Sequence, residues 1–296
     1  MELQFLGTSA MVPTSKRNHT SIFIKYKSHN ILVDCGEGTQ RQLKIAKIPL
    51  PSITMILITH WDGDHILGIP GLIQSIAASQ YTKTLKIFGP KGTKSFYEKL
   101  ASLFNLKNKI KVEVQDVSSQ KFFENEDFFL ESLPVNHTQP SICYNFNEKD
   151  KRKVIKSKMK KLKVPQGPLI GKLVANKSIV VNGKTITPNQ ITEIKKGKKI
   201  TCVLDTKNIP SLPKFAKNAD VLVCESTYLS DLEDRASKYK HMTALQAAQV
   251  AKKANVNQLI LTHFSARYKD SSPLEIEAKS IFKNTKAAED FLKINI

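Results

Sequence analysis

Two histidines and two aspartates lie within six residues at His60–His65, in the order His-Trp-Asp-Gly-Asp-His. The cluster directly follows the apolar, β-branched run Ile53–Thr59, which predicts a buried strand. Imidazole and carboxylate groups together suit zinc, manganese and iron, and Gly63 permits a sharp turn that would aim several side chains at one point. A polar loop with incidental histidines is the alternative, and it explains one histidine better than it explains this cluster. We therefore interpret His60–His65 as part of a metal site.

Three more apolar, strand-like runs lead to a residue that could bind a metal. They are Phe128–Val135 before His137, Ile200–Leu204 before Asp205, and Gln258–Thr262 before His263. In open α/β sheets, ligands gather at the carboxyl ends of strands. One polar residue after a strand is ordinary in a loop, but four such cases suggest a common site. The sequence alone leaves open whether they converge.

The elements that must position these residues alternate between strand and helix signals, which indicates an α/β layered fold. We expect a hairpin formed by Ser21–Tyr26 and Asn30–Val33, followed by helices near Arg41–Ile48, Ile66–Ser79 and Thr93–Phe104. Neither a run of about 18 apolar residues nor a secretory signal occurs, so we expect no membrane association. The four cysteines form no C-x-x-C pair, which favours buried, reduced thiols in a cytoplasmic protein over a cysteine zinc site.

The net charge of +20 is concentrated in one segment. Residues 149–200 contain 16 Lys and Arg against two acidic residues, a net charge of +14, whereas the rest of the chain carries only +6. General solubility does not require this distribution, but a polyanionic partner would favour it. The charge therefore indicates a local binding surface.

Lysines and apolar residues are interleaved in the first part of this segment. Ile155, Met159 and Leu162 share one face of a predicted short helix that exposes lysines. The Gly- and Pro-containing stretch Val164–Gly171 is predicted to break regular structure. A disordered, solvated charge run is the alternative, and lysine density alone favours it. The apolar face, and the position of the segment between two candidate ligands, favour a folded arm that binds a polyanion.

Five stretches, taken together and in order, resemble the ribonuclease Z family, the tRNA 3′-processing endonucleases of the metallo-β-lactamase superfamily. The stretches are Asp34–Arg41, His60–Leu72, Gly167–Leu173, Leu204–Thr206 and His263–Tyr268. The resemblance covers nearly the whole chain. It implies a four-layer αβ/βα sandwich with a protruding basic arm, in which residues 1–148 and 201–296 form the catalytic domain and residues 149–200 form an insertion that contains the arm. It also implies a homodimer in which the arm of one subunit grips the precursor tRNA that the other subunit cleaves.

The resemblance further implies two divalent metal ions, with zinc expected first and manganese as the alternative. The implied ligands of one ion are His60, Asp62, His137 and Asp205. The implied ligands of the other are Asp64, His65, Asp205 and His263, so that Asp205 bridges the pair.

RNA hydrolysis requires an activated water and a stabilised leaving oxygen, and two metal ions about 3.5–4 Å apart can supply much of both. Asp64 could orient or deprotonate the water. His241 matches a family histidine that helps the leaving 3′ oxygen, and Glu225 matches the acid that orients it. Without the resemblance, we would interpret His241 as a polar residue at a helix N-terminus.

The expected RNA contacts lie in the basic segment and in one N-terminal loop. Those in the segment are Lys151, Arg152, Lys153, Lys156, Lys160, Lys161, Gly167 and Pro168. Arg17 lies in the loop Pro13–Asn18, which resembles a family loop linked to rejection of mature CCA ends. The lysine of this loop is displaced by one position, which leaves that discrimination open.

One residue departs from the family pattern His-x-His-x-Asp-His, because Asp62 stands where the second histidine is usual. Asp62 could bind metal through oxygen and alter the metal preference, could be too short to reach, or could mark a protein that has lost activity and kept RNA binding. We expect a working endonuclease with weakened or altered metal loading. The alternatives are another phosphodiesterase or nuclease of the same superfamily, and a catalytically weakened RNA-binding relative.

Overall fold

The computed structural model describes every residue from Met1 to Ile296. The chain forms eighteen strands and eleven α-helices. The strands are β1 (Glu2–Gly7), β2 (Ser21–Tyr26), β3 (His29–Val33), β4 (Met55–Leu57), β5 (Thr84–Gly89), β6 (Lys111–Asp116), β7 (Gln120–Glu124), β8 (Phe128–Asn136), β9 (Pro140–Glu148), β10 (Lys151–Val154), β11 (Ile179–Val181), β12 (Lys184–Ile186), β13 (Thr192–Lys195), β14 (Lys199–Val203), β15 (Val221–Glu225), β16 (Gln258–Thr262), β17 (Thr285–Ala287) and β18 (Lys293–Asn295). The helices are α1 (Thr39–Ile45), α2 (Gly63–Ile66), α3 (Ile69–Ala78), α4 (Thr93–Leu103), α5 (Lys156–Lys161), α6 (Pro168–Val174), α7 (Pro188–Ile191), α8 (Leu212–Phe215), α9 (Glu233–Tyr239), α10 (Ala244–Ala254) and α11 (Ser272–Ile281).

Two seven-stranded sheets contain most of these strands. Their orders are β18-β1-β2-β3-β4-β5-β6 and β17-β16-β15-β14-β9-β8-β7. Strands β3 to β6 run parallel in the first sheet, and β14 to β17 run parallel in the second. Because parallel strands end at the same edge of a sheet, the loops that follow them lie together and can build a site.

Each sheet packs helices on one face and the other sheet on the opposite face. Leu72 and Ile76 of α3 belong to the apolar core beside the first sheet, and Ala247 of α10 belongs to the core beside the second. Between the sheets, the hydroxyl of Tyr144 in β9 donates to the carbonyl of Ile58, which follows β4, at 2.6 Å. The resulting helix–sheet–sheet–helix arrangement is the four-layer sandwich that the sequence predicts.

The chain divides into two compact units. The larger unit contains Met1–Phe123, Leu130–Phe146 and Lys199–Ile296, and the inserted unit contains Glu124–Phe129 and Asn147–Lys198. We call the larger one the catalytic unit, after the domain that the family resemblance implies. The inserted unit includes the sheet pairs β10-β13 and β11-β12. It has its own buried apolar cluster, made of Met159, Val164, Leu173, Ile179, Ile186 and Ile191. The basic segment is therefore folded and is not a disordered charge run.

Three local predictions need correction. The helix predicted at Ile66–Ser79 begins three residues later, as α3 at Ile69, because the amide of Gly68 donates to the carbonyl of Cys35 and separates α3 from the short helix α2. The strand predicted at Ile53–Thr59 is only Met55–Leu57. The predicted break at Val164–Gly171 ends early, since Pro168 begins α6 and proline suits the first position of a helix.

Two compositional predictions concern the cysteines and the membrane. All four cysteines are buried and unpaired, as predicted. No helix in the structure combines the length and the apolar character needed to cross a bilayer.

We expect Gly36→Ala to destabilise the catalytic unit, because a Cβ at Gly36 would lie 2.3 Å from the carbonyl oxygen of Asp64 and 2.6 Å from the Cβ of His19. The backbone would have to move, which should lower the free energy of unfolding by about 2 kcal/mol or more. Gly171→Ala is the matched control. A Cβ at Gly171 meets no atom within 4 Å, and alanine favours helix α6 by up to about 1 kcal/mol. Chemical denaturation measures both changes, and equal losses would contradict the close approach at Gly36.

Candidate dinuclear metal site and catalytic pair

Sharp turns after parallel strands deliver three of the site residues. Asp34 follows β3, Asp205 lies two residues after β14, and His263 follows β16. Their φ angles are 59°, 36° and 61°, a region that residues other than glycine rarely adopt and that costs about 1–3 kcal/mol for each residue. These turns, together with the short helix α2 that begins at Gly63, aim the side chains at one point.

The carboxylate of Asp205 lies among four imidazoles. Its Oδ2 atom is 3.6 Å from Nε2 of His60, 3.5 Å from Nε2 of His65 and 3.9 Å from Nε2 of His137. Its Oδ1 atom is 3.0 Å from Nε2 of His263. Asp205 is buried, and a carboxylate in this position can face two ions at once.

The first half-site is defined by His60, Asp62 and His137, whose candidate ligand atoms lie within 4.8 Å of one another. Oδ2 of Asp62 is 3.2 Å from Nε2 of His60 and 3.3 Å from Nε2 of His137. The neighbouring imidazoles of His137 and His60 hold the pKa of Asp62 well below its usual range, so this carboxylate is charged.

The second half-site is defined by Asp64, His65 and His263, whose candidate ligand atoms likewise lie within 4.8 Å of one another. Oδ2 of Asp64 is 3.3 Å from Nε2 of His65 and 3.7 Å from Nε2 of His263. Burial would raise the pKa of Asp64, but the charge of His65 holds it below the usual range. The structure thus brings together all seven side chains that the sequence predicts as ligands.

These residues fit metal ions because buried donor atoms converge there without hydrogen-bond partners. The unpartnered atoms in the two half-sites and Asp205 are Nε2 of His60, Nε2 of His65, Nε2 of His263, Oδ1 of Asp64 and Oδ1 of Asp205. Each buried polar atom without a partner costs about 1–3 kcal/mol, and buried polar groups in proteins are otherwise nearly always satisfied. Five such atoms around one point indicate a site built for cations.

Asp34 orients the imidazoles from behind. Its carboxylate accepts the amide and the hydroxyl of Thr59, each at 2.7 Å, and contacts Nδ1 of His65 at 2.7 Å. The Thr59 hydroxyl also lies 3.0 Å from Nδ1 of His60. Because these contacts occupy Nδ1, both rings present Nε2 to the centre, as metal-binding histidines usually do. The sequence analysis did not single out Asp34, although its position directly after a predicted strand was an available signal.

Glu225 and His241 form a second pair beside the half-sites. Nδ1 of His241 lies 3.1 Å from Oε2 of Glu225, and Glu225 also accepts the hydroxyl of Thr227 and the amide of Met242. Burial alone would lower the pKa of His241, but the charge of Glu225 raises it to about 9, so the imidazole holds a proton at neutral pH. A protonated imidazole held by a buried carboxylate can serve as a general acid.

A cavity of about 210 Å³ connects the half-sites with this pair. Asp62, His137, His241 and Tyr228 line it, and Met11 stands at its edge with 63% of its surface exposed. A phosphodiester that enters this cavity would face both the ligand cluster and the imidazole of His241.

The predicted RNA contacts differ in their exposure. Lys153, Lys156, Lys160 and Lys161 are exposed, as are Gly167 and Pro168.

Three other side chains predicted to contact RNA already interact with groups of the protein itself. Lys151 forms an ion pair with Asp127 at 2.7 Å, and the guanidinium of Arg152 donates to the side chain of Asn189 at 2.9 Å. Arg17 is only 8% exposed, and its guanidinium donates to the carbonyl of Tyr268. Arg17 therefore ties its loop to the loop after β16, and its contact with RNA stays a prediction.

Comparisons with known proteins identify the relatives of this chain. A ribonuclease Z from Methanothermobacter thermautotrophicus is 37% identical over 297 residues, which cover 100% of this chain and 97% of that protein. This chain belongs to the ribonuclease Z family. A second family, described as "Anti-Pycsar protein Apyc1", matches residues 1–149 only.

Solved structures agree on the fold of this ribonuclease Z family member. Human tRNase Z, short form, superimposes with a TM-score of 0.74 at 24% identity, covering 100% of this chain and 99% of the human one. The metallo-β-lactamase fold protein YhfI from Bacillus subtilis superimposes with a TM-score of 0.73 at 17% identity, covering 99% of this chain and 98% of its own. The metallo-β-lactamase fold predicted from the sequence is thus confirmed.

We expect His241→Asn to slow cleavage of precursor tRNA by about 10²- to 10⁴-fold, the range for loss of a general acid. Hydrolysis of bis(p-nitrophenyl) phosphate should fall far less, because nitrophenolate leaves without a proton. Steady-state kinetics on both substrates provides the measurement, and His29→Asn, outside the site, is the matched control. Equal losses on the two substrates would show that His241 has a structural role only.

Proposed function

We propose that this protein is a metal-dependent endoribonuclease that removes the 3′ trailer from precursor tRNA and leaves a 3′ hydroxyl. One observation carries this proposal: His241, which Glu225 holds from behind, lines the same cavity as five of the candidate metal ligands in a chain of the ribonuclease Z family. The water that attacks phosphorus must be activated, and the oxygen that leaves phosphorus must receive a proton. The cavity offers the ligand cluster for the first task and His241 for the second.

Divalent metal ions belong to this function, and we propose two of them, zinc first and manganese as the alternative. His60, Asp62 and His137 would bind one ion, and Asp64, His65 and His263 the other, with Asp205 between them. When bound, such a pair activates water and neutralises charge on the phosphate.

The protein's own residues handle the protons. Oδ1 of Asp64 is buried and lacks a hydrogen-bond partner, so it can accept a hydrogen bond from the attacking water and orient it. As the bond between phosphorus and O3′ breaks, protonated His241 donates to O3′, and the tRNA leaves with a 3′ hydroxyl. Glu225 stabilises the charged imidazole before this transfer.

The inserted unit supplies the RNA contacts in this proposal. Lys153, Lys156, Lys160 and Lys161 project from β10 and α5 and are exposed. Duplex RNA is recognised mainly through its backbone and shape, so lysines on a folded unit can grip tRNA without reading its sequence. Binding should weaken steeply with salt, because each phosphate contact releases counterions.

We also propose that the protein acts as a homodimer in which each arm serves the partner's site, and that it works in the cytoplasm. The family resemblance supports the dimer. The buried, unpaired state of all four cysteines fits a reducing compartment. Light scattering of the purified protein measures the subunit number directly.

Another phosphodiesterase or nuclease of the same superfamily is the second candidate, because a small diester could enter the cavity of about 210 Å³ that contains the ligand cluster. A small diester would need the cavity but not a folded, lysine-rich inserted unit. A panel of precursor tRNA, linear RNA and cyclic nucleotides separates the two activities.

We expect the purified protein to cut a precursor tRNA directly after its acceptor stem, which mapping of the product ends by primer extension and ligation would reveal. The body of the tRNA should carry a 3′ hydroxyl and the trailer a 5′ phosphate. Chelation should abolish cleavage, and added zinc or manganese should restore it. Cleavage within loops, or 3′ phosphate ends, would overturn the proposed function.

We expect the triple variant Lys153→Ala, Lys160→Ala, Lys161→Ala to raise KM for precursor tRNA by about tenfold or more. Each lost phosphate contact should also lower the slope of log Kd against log salt by about 0.9. Hydrolysis of bis(p-nitrophenyl) phosphate should not change. The matched control removes three exposed lysines of the catalytic unit, Lys91, Lys107 and Lys109. Similar effects of the two triple variants would contradict a specific role for the inserted unit.

A further inference from the structure

Asp62 makes contacts that a loosely placed carboxylate would not make. Its Oδ2 atom lies 3.2 Å from Nε2 of His60 and 3.3 Å from Nε2 of His137. Its other oxygen, Oδ1, accepts a hydrogen bond from the side-chain amide of Gln139. Gln139 stands between β8 and β9, where its carbonyl accepts the hydroxyl of Ser141 at 3.0 Å. The hydrogen bond from Ser141 therefore fixes the backbone of the loop that carries the side-chain amide of Gln139.

We propose that Asp62 is a metal ligand through a single oxygen, that Gln139 positions it, and that the pair shifts the first half-site from zinc toward manganese. The inference rests on the metal centre of the proposed nuclease and concerns its selectivity. The bond from Gln139 holds Oδ1 and turns Oδ2 toward His60 and His137, so Oδ2 is the oxygen that would face an ion bound by those two imidazoles. A histidine at position 62 would offer nitrogen there instead.

The reach of the Asp62 side chain distinguishes a metal ligand from a residue left over in a decayed site. A carboxylate is shorter than an imidazole, yet Oδ2 comes as close to His60 and His137 as Oδ2 of Asp64 comes to His65. The loop that holds Gln139 brings the carboxylate to the ligand position.

The chemistry of the donors gives the direction of the shift. Carboxylate oxygen suits manganese and magnesium, whereas imidazole nitrogen suits zinc. The side chain of Asp62 is 25% exposed and that of Asp64 only 3%, so an ion beside Asp62 can keep water ligands, which an octahedral manganese ion requires. Zinc binds more tightly than manganese to most sites. The expected change is therefore in the ratio of the two affinities.

The experiment measures metal binding to the full-length protein stripped of metal with a chelator. Manganese is titrated and free Mn²⁺ is read by electron paramagnetic resonance, and zinc is then added in competition. The proteins compared are the wild type, Asp62→His, Gln139→Ala and the double variant. Gln115→Ala is the matched control, because Gln115 is an exposed glutamine of β6 that does not line the cavity. Circular dichroism verifies that each variant is folded.

We expect two Mn²⁺ per wild-type chain. Asp62→His should lower the manganese-to-zinc affinity ratio of one site by about tenfold, as oxygen is replaced by nitrogen. Gln139→Ala should weaken manganese at that site by about 10- to 100-fold, the usual effect of losing a group that orients a ligand. In the Asp62→His background, Gln139→Ala should change the affinity by no more than about twofold, because its partner is gone.

An unchanged affinity ratio in Asp62→His would overturn the inference. So would an equal effect of Gln139→Ala in both backgrounds, or a single Mn²⁺ per wild-type chain. These results are independent of RNA cleavage. A protein that cuts precursor tRNA but fails the titration keeps its proposed function and loses this inference, and a protein that passes the titration without cutting loses only the function.

Discussion

The carboxylate of Asp205 is the constraint around which the catalytic unit is organised. It is a buried charge with four imidazoles within 4 Å, and a buried charge is tolerated only where other charges or metal ions compensate it. His60 and His65 come from the first sheet's edge, whereas Asp205 and His263 come from the second. The two sheets must therefore meet at this edge with little freedom. The positive φ angles at Asp205 and His263 are local strain that the surrounding packing sustains.

The lining of the cavity contains acidic residues and histidines but neither lysine nor arginine. A phosphate there must have its charge met by bound cations and by the proton on His241. Basic residues are concentrated instead in residues 149–200. This division keeps ammonium groups from competing with metal ions for the carboxylates, while the protein retains the positive charge that RNA binding needs.

The sequence predicted the class of fold and the ends of the strands that build the site, because buried strands read as apolar runs and their last residues carry the polar side chains. Residues such as His137 and His263 are found in this way. Other features depend on tertiary contacts that periodicity does not contain. Asp34 and Gln139 act through contacts with His65 and Asp62, which lie 31 and 77 positions away. The position of Asp34 after a predicted strand was a signal, but nothing near Gln139 in the sequence marks its role. The break between α2 and α3 likewise depends on a hydrogen bond from the amide of Gly68 to the carbonyl of Cys35.

The separate apolar cluster of the inserted unit has a consequence for motion. Its six buried residues provide far less burial than the two larger clusters of the catalytic unit, so its free energy of local opening should be the smaller one. The inserted unit, which we propose contacts RNA, can then unfold locally while the metal ligands stay in place. Local opening of the inserted unit would let the proposed RNA-binding surface adapt to tRNA bodies of differing shape, while the ligand geometry in the catalytic unit stays fixed.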